Sequence, residues 1–169
     1  MALYFSGFRC LVTCFLSFIY TNDDILEHLV EKCPLLENLT VQHCTGLNKV
    51  KICAVANLKC LDFTGVECES SVTVNCPKLV NVIVHNCPRM LMLELKSCGS
   101  LHLSTTELHV LEGFSTAKYL KKVSLHELGR QAPSLAILES LVPLEELSIE
   151  SKCFKVSNCL NFIIMLIVF

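Results

Sequence analysis

Tryptophan is absent from this chain and tyrosine occurs only three times, so it has little with which to stack unpaired bases. It also lacks an excess of charge of either sign. Fourteen lysines and arginines are interspersed with sixteen aspartates and glutamates, for a formal net charge of −2. Without a basic stripe or aromatic platforms, nucleic acid is excluded as a partner class. The six glycines are scattered, and neither a phosphate-cradling glycine loop nor a G-x-S-x-G elbow is present. Long apolar runs are missing too. Leu11 to Tyr20 and the terminal CLNFIIMLIVF, interrupted by Asn161, both fall well short of the roughly twenty residues a membrane-spanning helix needs. Charged residues make up 18% against 52% hydrophobic, a balance that excludes a disordered chain and supplies a sizeable core.

Cysteine, in contrast, is abundant, with twelve residues. Many fall in a recurring phrase: CPLLENLTVQHC (Cys33 to Cys44), CPKLVNVIVHNC (Cys76 to Cys87) and CPRMLMLELKSC (Cys87 to Cys98). Disulfide scaffolds are usually short and loop-rich, whereas these cysteines abut apolar runs that alternate at period two. They read as reduced, packed thiols. The centres of the runs are Leu39, Val50, Leu61, Val72, Val82 and Leu93, each with an apolar partner two residues on, such as Val41, Phe63, Val84 and Leu95. Leu36, Leu58, Leu79 and Met90 stand three residues before a centre. Asn, Gly, Pro and Ser fill the intervals, as turns require.

An eleven-residue step is too short for a whole coil. Its contour of about 36 Å cannot cross a core about 10 Å thick twice and turn. Two steps make a coil of 21–22 residues, within the range of leucine-rich repeats. Leu39, Leu61 and Val82 then line one wall, and Val50, Val72 and Leu93 the other. LKKVSLHEL and LEELSIE give later strands centred on Val123 and Leu147, with SLAILESL, opened by Pro133 and halted by Pro143, as a helical return. DDILEHLVEKC (Asp23 to Cys33) is a second helix, capped by Asn22 or Asp23, with Ile25, Leu26, Leu29 and Val30 on one face. Residues 100–117 are expected to be a loop-bearing repeat. The expected architecture is an α/β leucine-rich-repeat solenoid of parallel strands over 21–151, with strand-only coils followed by strand–helix coils. An apolar leader (1–20) and an apolar tail (152–169), the latter read as a truncated or mis-spliced end, flank it; their alternative use is as terminal strands.

DDILEHLVEKCPLLENLTVQHCTGLNKVKI, NLKCLDFTGVE and VNCPKLVNVIVHNC, followed by YLKKVSL and LVPLEELSIES, resemble the repeat region of plant F-box/FBD/LRR-repeat proteins. The resemblance runs from about Asn22 to Ser151. It implies the substrate-recognition half of an SCF-type ubiquitin ligase subunit. The F-box and FBD regions have no counterpart in the match, so binding of a Skp-type adaptor does not carry over. What transfers is a protein-interaction scaffold with an unknown target, expected in the cytoplasm or nucleus. The alternative is a freestanding repeat protein, secreted if residues 1–20 act as a signal peptide.

Among the chemistry-bearing residues, His43/Cys44 and His85/Cys87 lie two coils apart, too far to share one tetrahedral zinc, and no cofactor or metal ligand set is assigned. Adjacent residues on a strand point to opposite faces, which separates His43 from Cys44 as a catalytic pair. Cys44, Cys87 and Cys98 are read as the small residue that packs in the turn after each strand, and a zinc- or thiol-dependent enzyme is disfavoured. Function therefore falls to outward strand positions: Asn38, Thr40, Gln42, Asp62, Thr64, Asn81 and His85, then Ser124, His126, Ser148 and Glu150. No aromatic or arginine anchor is evident among them. Apolar, uncapped ends are expected to promote self-association.

Overall fold

In a computed structural model the described residues are 8–53, 55–96, 98–104, 110–112, 120–126 and 144–150. The alternating runs form two parallel sheets that face each other across a common core. The larger has seven strands, in spatial order β1 (Thr13–Ser17), β2 (Asn38–Gln42), β4 (Cys60–Thr64), β6 (Asn81–His85), β8 (Ser100–Ser104), β10 (Lys122–His126) and β11 (Glu146–Glu150). The smaller has four: β3 (Leu47–Cys53), β5 (Cys68–Asn75), β7 (Met92–Leu95) and β9 (Val110–Glu112). The chain alternates between sheets from β2 to β9, so successive apolar runs lie on opposite walls. Leu39, Leu61 and Val82 align on one, while Val50, Val72 and Leu93 align on the other. This is a parallel-strand solenoid of the leucine-rich-repeat type.

The alternation has one energetic consequence at every strand. Leu39, Val41, Leu61, Phe63, Val82, Val84, Leu101 and Leu103 point inward and are buried, as are Val50, Ile52, Val72, Val74, Leu93 and Leu95 opposite. Fully burying such a side chain stabilises by about 1.5–3 kcal/mol, and no single coil can do so without its neighbours. The coils are also tied at their corners. Val12, Glu37, Lys59, Val80, Gly99 and Lys121 each accept, at the backbone carbonyl, two consecutive N–H groups of the next coil. A second ladder follows the strands of the larger sheet. Phe18, His43, Gly65 and Asn86 all have positive φ, at +54°, +48°, +62° and +51°. Each donates its N–H to the carbonyl that ends the next strand, at Gln42, Thr64, His85 and Ser104 respectively.

Helix α1 (Asp23–Glu31) occupies the first coil where later coils place a strand of the smaller sheet. The Asn22 side chain accepts the N–H of Ile25, which fixes the start of the helix. Both carboxylate oxygens of Asp23 accept backbone N–H groups of β3, from Asn48 and Lys49, and Glu27 accepts that of Lys51, all at 2.9 Å. Two acidic residues four apart on one helix thus satisfy an edge that would otherwise lack a neighbour. Leu26 and Val30 are buried beneath, but Ile25 is 42% exposed rather than on the inner face.

The helix expected from Asp23 opens the first coil, ahead of the strand-only coils. Three expectations need correction or extension. Within 100–117, expected only as a loop-bearing repeat, residues 100–104 form a regular strand, β8, and β9 follows at 110–112. They escaped notice because the step from Val82 to its partner Leu101 shrinks to 19 residues and lacks the Cys-Pro punctuation. The segment called a leader supplies β1, with Cys14 buried in register with Leu39. Finally, Cys98 does not close a strand as Cys44 and Cys87 do. It stands two residues before β8, as Leu36, Leu58, Leu79 and Leu120 stand before theirs, and its thiol donates to the Ser100 carbonyl at 2.9 Å. The helix expected within 134–141 lies outside the described residues.

Candidate functional site

On the outward side of the seven-stranded sheet, strand register turns alternation into three columns of side chains. Asn38 and Asn81 belong to the first, which reads Thr13, Asn38, Cys60, Asn81, Ser100, Lys122, Glu146. Thr40, Asp62, Ser124 and Ser148 belong to the second, with Phe15 ahead of them and Ile83 and His102 in their midst. Gln42, Thr64, His85 and His126 belong to the third, which begins at Ser17 and includes Ser104; Glu150 joins it by backbone register. All eleven outward candidates therefore come together on one face. Ten further positions on it were missed, because strand parity was not assigned to β1 and β8 and because their neighbours on known strands were passed over. The signals were present: Cys14 and Leu16 alternate in the leader, and Leu101 and Leu103 bracket His102.

The columns are laced by short-range polar contacts. Asn38 donates to the Thr13 hydroxyl, Thr64 donates to the Asp62 carboxylate at 2.7 Å, and Lys122 pairs with Glu146 at 2.6 Å. With that pair matched, the face between β2 and β8 is largely neutral, and Asp62 is its only formal charge there among the described side chains. An apolar anchor does exist, contrary to the sequence reading. Phe15 is 60% exposed in the second column, and beside it Phe18 stacks on His43 with ring centroids 4.8 Å apart. Exposed aromatic residues of this kind are where binding energy concentrates in protein interfaces.

Among the described residues the thiols have no place on this face, Cys60 excepted, and the chemistry of the buried ones is that of packed donors. Cys44 donates to the carbonyls of Gln42 and Leu16, Cys87 to those of His85 and Phe63, and Cys76 to that of Ile52. Burial pushes Cys76 up to about 11, and Cys87 and Cys98 up to about 12. A thiol so shifted is protonated at neutral pH and is a poor nucleophile. Among the described residues no three His, Cys, Asp or Glu side chains converge to hold a metal ion.

Compared with known families, residues 4–128 match the model described as the leucine-rich repeats of FBD-associated F-box protein At5g56370. The chain belongs to this leucine-rich-repeat family. The match starts within the segment that supplies β1 and runs past β10, so the columns from Phe15 to His126 lie inside the family's own repeat region. No curated protein and no solved structure matches the chain. Repeats of this family on a parallel solenoid form a protein-interaction scaffold, and such scaffolds are typically not enzymes.

Proposed function

We propose that the outward face of the seven-stranded sheet recognises a target protein, in the manner of the substrate-binding repeats of a ubiquitin-ligase F-box subunit. The observation that carries this is the continuity of three side-chain columns across seven parallel strands, neutral over much of its area and provided with one exposed aromatic anchor. A stack of coils extends such a surface with each added repeat. The smaller sheet is a poorer candidate, since its outward positions include Lys49 and Lys51, which are exposed and carry strong hydration shells.

Binding of a Skp-type adaptor is not assigned to these coils, and purified chain mixed with such an adaptor is expected to give no stoichiometric complex. A cytoplasmic or nuclear location suits the reading, because the buried thiols serve as unpaired donors to backbone carbonyls. The secreted alternative is disfavoured by β1: cleavage after residue 20 would strip the first strand from the sheet. The test is partner capture in cells by proximity labelling with the full chain, compared with a variant carrying Thr40→Lys and Asn81→Lys. The expected result is loss of the captured set in that variant and its retention in Lys51→Ala on the opposite sheet. Targets of a ligase subunit should also accumulate when the chain is depleted.

A further inference from the structure

The three histidines of the larger sheet sit closer together than their spacing in sequence suggests. Ser104 on β8 is flanked in register by His85 on β6 and His126 on β10, and His102 lies two residues before it on the same face. His85 Nδ1 is hydrogen-bonded to the Ser104 hydroxyl, which is buried at 6% exposure beside the rings. His126 Nε2 and the Ser124 hydroxyl are 2.7 Å apart, and the His126 ring lies 5.2 Å from that of His102, centroid to centroid. Flanking groups that bear charge or titrate are Asp62 and Cys60 on β4, Lys122 on β10 and Glu146 on β11, with Glu150 beside His126 by register. Asp62 is diagonal to His85 on the adjacent strand and one strand removed from His102, across Ile83, and Lys122 is already matched by Glu146.

We propose that His85, His102 and His126 form a proton-linked docking site for a carboxylate-bearing segment of the protein partner. Neutral imidazoles offer N–H donors to a carboxylate. Protonated ones offer charge as well, but three cations at this separation repel one another. At His102 the pKa is lowered first by burial and then by His126 and His85. A carboxylate seated over the cluster relieves that repulsion, so its binding takes up protons and strengthens as pH falls. Without it, acid works the other way. The folded chain resists protonation of His102, so the stability this ring supports is present above the ordinary histidine value and is lost as pH drops through the lowered one.

The proposal rests on the face being the binding surface, and the experiment separates the two. Titration of the full chain with hexaglutamate, followed by NMR of the histidine ring protons, should show affinity on the order of tenfold higher near pH 5.5 than near pH 7.5. The ring signals of His102 and His126 should move, and hexaglutamine should not bind. His102→Asn with His126→Asn should abolish the gain on acidification, while His28→Asn in α1 should keep it. An affinity that does not change with pH, or a gain that survives the double variant, overturns the histidine site. Because the ring signals are read in the unsubstituted chain, that outcome does not depend on how the variants fold. Partner capture insensitive to Thr40→Lys and Asn81→Lys would instead overturn the face.

Discussion

At Gly65 the backbone takes φ of +62°, and a β-carbon added there would overlap the His43 imidazole. Two separate costs attach to any side chain at this corner. The left-handed conformation costs an L-residue roughly 1–2 kcal/mol, and displacing the stacked ring adds to it. Gly65→Ala should therefore lower the unfolding free energy by about 2–3 kcal/mol in urea titrations. In a His43→Ala background the loss should shrink to the backbone part alone; an equal loss in both backgrounds would show that the ring contributes nothing. The thiols make a second residue-scale case. Peptide mapping after brief alkylation at mildly alkaline pH should find Cys10 and Cys53, both exposed, modified well before Cys87 and Cys98. Since the folded state holds those buried thiols protonated beyond their ordinary range, raising pH past that range should destabilise the fold, because the unfolded chain releases protons that the native one retains.

Among the elements, α1 does for the smaller sheet what a strand would do. Asp23→Ala removes an acceptor from two N–H groups of β3 and Glu27→Ala from one. These contacts are solvent-exposed, so each substitution should cost about 1 kcal/mol, with Asp23 the larger, as read from thermal unfolding. Equal stability of both variants with the parent would mean that water replaces the carboxylates without loss. That helix was legible because Asn22 and the spacing of Leu26 and Val30 are local signals. The two walls were legible because an eleven-residue step leaves no other room for alternating side chains. What could not be read was set by contacts distant in sequence. The left-handed corner at Phe18 uses a residue with no turn preference, held there by the coil beyond. Cys98 shares its closing phrase with Cys44 and Cys87, yet stacks in the column of Leu58 and Leu79. The outward columns followed wherever strand parity was known, and failed at β1 and β8, where it was not assigned.

For the whole molecule, the two sheets begin differently. The smaller is closed at its first edge by α1, whereas no strand pairs with the outer edge of β1 among the described residues. Phe15, Phe18 and Tyr20 are 60%, 78% and 81% exposed around that edge. A parallel edge rimmed by aromatic rings is a template for another chain. Sedimentation of the purified protein should show mass increasing over the micromolar range, and Phe15→Lys should reduce it; a single monomeric species throughout would contradict this. The Cys-Pro phrase has a consequence of another kind. It enters the larger sheet at Cys33 and Cys76 but the smaller one at Cys87, so one sentence of sequence serves both corners. Tandem duplication of a single such unit would invert everything downstream, carrying the polar columns to the opposite wall. Growth of this protein by copying is therefore constrained to even numbers of units, and any lineage that added one alone would have had to rebuild its recognition surface from residues selected for something else.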